Sequence, residues 1–151
     1  MEFKIEFTKA AADISAVHDA LYEYNLTKTG NERVEVQAKI SETTCALVVR
    51  GSDDAVYGGV VWDYKQDSAD TVFVNYMYLS EALRGTGKGR ELFEAMEKRV
   101  KSEGIKYVTV TTNTFQAPWF YTALGYKETG AKAAPLPNVP DNMHYSYCKE
   151  L

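Results

Sequence analysis

Cysteine and histidine are nearly absent from this chain, with two of each in 151 residues. Cys45 and Cys148 lie far apart in apolar, strand-like contexts, which reads as two buried free thiols rather than a disulfide or a metal site. His18 and His144 have no partner at ligand spacing, so no metal is expected. Long apolar runs are missing too, and with them any candidate membrane span. The opening MEFKIEF places charge where a signal peptide needs an unbroken apolar stretch. A cytoplasmic protein with no membrane partner is the expectation. There is no excess of positive charge either: the net charge is −4, which argues against a broad nucleic-acid footprint. Proline is scarce, and three of its four copies fall within residues 135–140. Repeats, low-complexity tracts and linker-like stretches are lacking, so one domain over residues 1–151 is expected, long enough for a sizeable core.

What is present is a clear alternation of periods. Phe3, Ile5 and Phe7 alternate with charged residues, as in a half-buried strand over residues 2–7. Ile14, Val17, His18, Leu21 and Tyr22 fall at helical spacing within residues 11–24. The polar stretch 25–42 leaves room for a second short helix. Strands follow at 44–50 and 56–65 around the turn Gly51-Ser52-Asp53-Asp54, and a long β-branched and aromatic strand at 71–79. Residues 87–103 form the clearest helix, with Leu92, Phe93, Met96 and Val100 on one face. Glu94–Lys98 and Glu97–Lys101 are expected as i,i+4 ion pairs on the other. Gly104 is a fitting stop. A strand at 105–112 then implies a parallel pair through a right-handed crossover. A short helix at 116–124 and strands at 126–130 and 143–150 complete the chain. The proline loop at 135–140 reads equally as a wall of a binding site or as a stiff connection. The fold class is mixed α/β (α+β), with a mixed sheet and helices on both faces.

The most informative stretch is Arg84-Gly85-Thr86-Gly87-Lys88-Gly89-Arg90, between the strand at 71–79 and the helix at 87–103. A helix start carries partial positive charge, so three basic residues there oppose the dipole unless an anion is bound. Glycines let backbone N–H groups approach such an anion closely. The bland alternative is a glycine turn with solvated basic residues. The stretch is neither of the two commonest phosphate loops. A P-loop needs glycine where Ala82 stands and Ser or Thr where Gly89 stands. The dinucleotide fingerprint needs glycine where Arg90 stands.

Arg84, Gly87 and Gly89 do fit R-x-x-G-x-G, and this resembles the coenzyme-A-binding motif of the GNAT superfamily of acyl-CoA-dependent N-acetyltransferases. Met77-Tyr78-Leu79 precedes it and Phe120-Tyr121-Thr122-Ala123-Leu124-Gly125-Tyr126 follows it, in the order and spacing of that family's motifs from about Val72 to Gly130. The resemblance implies a three-layer GNAT-like fold, with a mixed sheet of six to seven strands flanked by about four helices. It implies acetyl-CoA as co-substrate, lying in a cleft where two central strands splay apart. Met77 and Leu79 would present backbone groups to the pantetheine arm, with the Leu79 N–H on the thioester carbonyl. Gly85, Thr86, Gly87, Lys88, Gly89 and Arg90 would cradle the pyrophosphate, with Arg84 adding charge. Asn113, beside the family's asparagine slot at Thr114, would touch the cofactor arm. Spacing alone makes Tyr121 a packing aromatic beside Phe120 and Leu124; the resemblance implies it as general acid and as a cofactor contact.

The acceptor side is less marked. No acid occupies the strand at 71–79, where some relatives carry a glutamate. Remote candidates for a base are Asp63, Asp70, Glu23 or a water held by Asn75. Tyr22, Tyr24, Tyr64 and Tyr76 are candidates for an acceptor pocket or, equally, for a tyrosine-rich core. The expected activity is acetyl transfer from acetyl-CoA to a primary amine of a small molecule, by direct attack in a ternary complex. The alternatives are acetylation of a protein lysine or N-terminus, and a non-catalytic acyl-CoA-binding module. A homodimer is left open.

Overall fold

The computed structural model describes residues 1–31, 37–116 and 118–151. Seven strands form one mixed sheet: β1 (Phe3–Thr8), β2 (Cys45–Gly51), β3 (Val56–Tyr64), β4 (Thr71–Leu79), β5 (Tyr107–Asn113), β6 (Lys127–Ala133) and β7 (Met143–Glu150). Their spatial order is β1-β2-β3-β4-β5-β7-β6. All neighbours are antiparallel except β4 and β5, which run parallel in the register Val72 opposite Val108. The crossover between them is helix α2 (Lys88–Ser102). The other helices are α1 (Ala11–Thr29) and the short α3 (Trp119–Ala123). Among the described residues there are thus three α-helices, joined by 3-10 turns at Glu81–Leu83 and Thr114–Gln116, rather than about four.

The apolar stripes decide the layers. On one face of the sheet Leu92, Phe93, Met96 and Val100 of α2 are fully buried against Val49, Val60, Val72 and Val108. On the other, Ile14 and Val17 of α1 pack on Ala46, Val48 and Val61. With helices on both faces, β2 is buried along most of its length. Gly59 permits α1 to lie this close, since a Cβ there would come within 2.8 Å of Val17.

Helix α1 runs five residues beyond the expected end at Tyr24. Asn25 and Thr29 continue the stripe of Ile14, His18 and Leu21 at helical spacing, and both are buried although polar. Thr29 satisfies its hydroxyl on the Asn25 carbonyl at 2.8 Å, and Gly30, at φ +70°, closes the helix on the Leu26 carbonyl. Of the stretch expected to hold a second helix, residues 25–29 therefore belong to α1, and residues 32–36 lie outside the described ones.

The expected surface pairs of α2 are rearranged. Glu97 turns inward, accepting from Lys149 Nζ at 2.9 Å and from the Tyr126 hydroxyl at 2.8 Å. Glu94 meets Arg90 at 3.6 Å instead of Lys98. The thiols also divide: Cys45 is buried, Cys148 only partly. The proline loop is a buttress. Asn138 donates to the Thr29 carbonyl at 3.1 Å and Asn31 to the Pro137 carbonyl at 2.5 Å, which ties the loop to the end of α1.

Candidate active site

β4 and β5 pair only from Thr71–Val74 to Tyr107–Val110. At that point the β3–β4 register slips: Trp62 faces Val74 and Val61 faces Tyr76, leaving Asn75 without an opposite number. An extra residue of this kind bends its strand and strengthens its twist. Beyond it β4 and β5 part, and a cavity of about 830 Å³ opens between them, ample for a sizeable ligand. Residues from α1, β4, β5, the α2 start and α3 line it.

The parted edge of β4 offers unpaired backbone groups. Ser80 N–H donates to the Tyr57 carbonyl at 2.8 Å, so alternation turns Tyr78 and Tyr76 toward β3 and turns Met77 and Leu79 toward the cavity. The Leu79 carbonyl, on that side, accepts from Arg84 Nε at 2.8 Å.

The α2 start stands over the same opening. Gly85 (φ +74°) and Gly87 (φ +85°) have left-handed backbones. Open space surrounds the position of a Cβ at both, so these positions require glycine for conformation, not for room. The first bond of the helix runs from Glu91 N–H to the Gly87 carbonyl, and no side chain caps the helix. The N–H groups of Lys88, Gly89 and Arg90 therefore precede the internal ladder, as a backbone anion cradle requires.

The basic side chains are engaged elsewhere. Lys88 pairs with Glu91 at 3.0 Å, and Arg90 donates to the Ala123 carbonyl at 3.0 Å. Arg84 stacks on Tyr24, its guanidinium 4.6 Å from the ring centroid, and stands 5.6 Å from that of Tyr78. Thr86 donates to the Leu83 carbonyl at 2.5 Å. Gly85, Gly87, Gly89, Arg84 and Arg90 line the cavity; Thr86 and Lys88 do not. A cradle at this helix start would thus be built from main chain, with Glu91 in the first turn offsetting part of the basic charge.

Tyr121, on α3, is 6% exposed, and its ring is surrounded by Phe93, Phe120, Tyr126 and Tyr147 at centroid distances of 5.3–6.0 Å. It lines the cavity, and no protein group among the described residues hydrogen-bonds its hydroxyl. Burial pushes its phenol well above the ordinary value, so it keeps its proton across the physiological range.

The remaining candidates separate. Tyr22 and Asn75 line the cavity. Asp63 does not: Thr44 (2.7 Å), Thr43 (2.5 Å) and Ser41 (3.2 Å) hydroxyls donate to its carboxylate, as does the Tyr64 N–H (2.8 Å). Burial by itself would raise its pKa, but these donors outweigh burial and hold it below the usual carboxylate value. Asp63 thus organises the entry to β2. Asp70 is tied likewise to Ser68 (2.7 Å) and Thr71 (3.1 Å).

Asn113 reaches the cavity but is committed on both side-chain atoms. Its amide donates to Gln116 at 3.0 Å, and its carbonyl accepts from Asn142 at 3.1 Å. Gln116 in turn donates to Asn25 at 3.0 Å. This chain of amides joins α1, the end of β5 and the start of β7, and Asn113 positions the wall of the cleft within it. Sequence reading missed Gln116 and Trp119, which also line the cavity. The Pro118-Trp119 pair at a helix start was the available signal for Trp119.

A splayed parallel pair, a bulged β4 edge, an uncapped glycine-rich helix start and a buried tyrosine occupy one cleft. Residues 42–128, more than half of the chain, match the model of the family described as acetyltransferase (GNAT) domain. The chain belongs to the GNAT acetyltransferase family. Its activity class is that of the family, acyl-CoA-dependent N-acetyl transfer. Among curated relatives it is similar to acetyltransferase Atu2258 of Agrobacterium fabrum, 23% identical over 131 residues, covering 87% of this chain and 88% of the relative. Solved GNAT-like structures share the fold. The smu.2055 protein of Streptococcus mutans superposes with a TM-score of 0.77 at 19% identity, over 97% of this chain and 98% of that one. A Bacillus anthracis protein described as a candidate streptothricin acetyltransferase, in complex with acetyl coenzyme A, gives 0.61 at 13% identity, over 74% of this chain and 64% of that one.

Proposed function

We propose that this GNAT protein transfers the acetyl group of acetyl-CoA to a primary amine of a small molecule, by direct attack within a ternary complex. The observation that carries the reading is the meeting, in one cavity, of the free β4 edge at Met77 and Leu79, the α2 start and the Tyr121 hydroxyl. The residues present fit acetyl-CoA. The N–H groups of Lys88, Gly89 and Arg90 would take the pyrophosphate, and left-handed Gly85 and Gly87 shape the turn that aims them. The pantetheine arm would lie along Met77 and Leu79 as an added strand does.

When bound, acetyl-CoA supplies a thioester carbonyl as electrophile and a thiolate as leaving group. The Leu79 N–H would donate to the carbonyl oxygen, where negative charge grows as the amine attacks; such a donor typically lowers the barrier by about 3–4 kcal/mol. The amine forms the new C–N bond, the C–S bond breaks, and the amine gives its surplus proton to water. The Tyr121 hydroxyl would donate toward the departing sulfur. Its raised pKa makes full transfer to a thiolate of ordinary pKa about 8.5 uphill, so the hydroxyl acts first as a hydrogen-bond donor to that sulfur. Neither Cys45 nor Cys148 lines the cavity, which supports direct transfer over an acyl-cysteine route. Tyr22 and Asn75 would meet the acceptor.

The test is a panel of small amines and lysine peptides incubated with acetyl-CoA, scored by release of free thiol. Turnover of a small amine above the peptides supports the reading. Turnover of peptides alone moves the acceptor to protein. Binding of acetyl-CoA with no turnover on any amine contradicts catalysis.

A further inference from the structure

The two tryptophans of this chain have opposite surroundings. Trp62 is fully buried, whereas Trp119 is 68% exposed; among the described large apolar side chains only Met1, at 69%, is more so. Trp119 is the first residue of α3 and lines the cleft. Its neighbour Phe120 packs on the start of α2 so closely that a Cβ at Gly89 would come within 3.1 Å of the ring. Phe120 thus fixes α3 against the start of α2, and Trp119 lines the same cleft as Gly87, Gly89 and Arg90 at that rim. The tyrosines of α1 that also line the cleft already carry partners: His18 lies 3.9 Å from the Tyr22 ring centroid, and the Arg84 guanidinium 4.6 Å from that of Tyr24. An aromatic ring of this size normally buries most of its surface against something, and among the described residues little covers this one.

We propose that Trp119 is the platform on which the adenine ring of CoA stacks. The inference rests on the reading of the cleft as an acyl-CoA site. A pyrophosphate held at Lys88–Arg90 leaves only a ribose between it and the base, so the base falls at the same rim. Stacking needs only a π-face, which an indole offers without charge or directed hydrogen bonds. The consequence is donor selection. A free CoA thioester gains the stack, and a thioester on a protein-bound phosphopantetheine arm, which has no adenine, forgoes it.

Because Trp62 is sealed in the core, Trp119 reports on its own surroundings by fluorescence. Titration with CoA should quench the exposed indole emission, and titration with 4′-phosphopantetheine should leave it nearly unchanged. Trp119→Ala should weaken CoA binding about 5- to 100-fold and 4′-phosphopantetheine binding less than twofold, with Trp119→Phe in between. Equal losses for both ligands, or CoA binding by calorimetry without quenching and without loss in Trp119→Ala, would overturn the stacking role while leaving the acyl-CoA site intact. No CoA binding to the wild-type protein would overturn both.

Discussion

Gly87 and Tyr121 carry the account at the level of single residues, for different reasons. At Gly87 the backbone stands at φ +85° with open space around it. Gly87→Ala therefore meets no clash and strains only the backbone, at roughly 1–2 kcal/mol. We expect a small loss in urea-unfolding stability with a much larger loss of CoA affinity, because the cradle N–H groups are re-aimed; calorimetry separates the two. Tyr121 sets an alkaline limit. Its folded pKa is raised by burial, and that of Tyr126 by burial and then by Glu97. The stability held by a neutral buried phenol is complete below its unfolded pKa of about 10 and is lost as pH rises toward the folded value, at about 1.4 kcal/mol per pH unit per phenol. Unfolding free energy should stay level with respect to these groups up to about pH 10 and fall steeply above it. Tyr121→Phe should make that fall shallower.

Among the elements, β4 decides the site. Its bulge at Asn75 parts it from β5, and the ladder alternation past the bulge aims Met77 and Leu79 into the gap. The sheet's strands and the faces of α2 were legible because period-2 and helical spacing are local properties of sequence: Leu92, Phe93, Met96 and Val100 are buried as their spacing implies. The bulge was not legible, since it exists only relative to β3. The same holds for Asn113, whose partner Asn142 lies 29 positions away, and for Glu97, which chose Lys149 over the adjacent Lys101. The end of α1 was misjudged because buried polar Asn25 and Thr29 look like loop residues until their partners are known. The amide chain yields a test. Gln116→Ala leaves Asn25 and Asn113 short of a partner and should cost about 1–3 kcal/mol in chemical unfolding. CoA affinity should fall with it as the end of β5 loosens.

On the scale of the whole molecule, three layers hold a cleft open at the parallel join of β4 and β5. Motif spacing brought Gly87, Gly89 and Tyr121 to one cavity, the end proposed for the donor, because R-x-x-G-x-G and the tyrosine signature flank one helix and one strand. The end proposed for the acceptor draws on α1 and β4, which meet only in the fold, so Tyr22 lines the cavity and Asp63 does not. Filling such a cleft stabilises the entire domain by mass action. Acetyl-CoA at about 100 times its Kd should add about 2.7 kcal/mol and raise Tm by roughly 5–10 °C. ATP or NAD at equal concentration should shift it far less, and equal shifts from all three would argue against a CoA-specific site.

In the proposed reaction, Tyr121 and the Leu79 N–H serve one reacting thioester held in this cleft. Its most direct test is Tyr121→Phe, measured for kcat with the best amine from the panel and for CoA affinity by calorimetry. With loss of this one donor, kcat should fall about 10²- to 10³-fold while the Kd for CoA stays within about twofold of wild type. An unchanged kcat at unchanged affinity would contradict it.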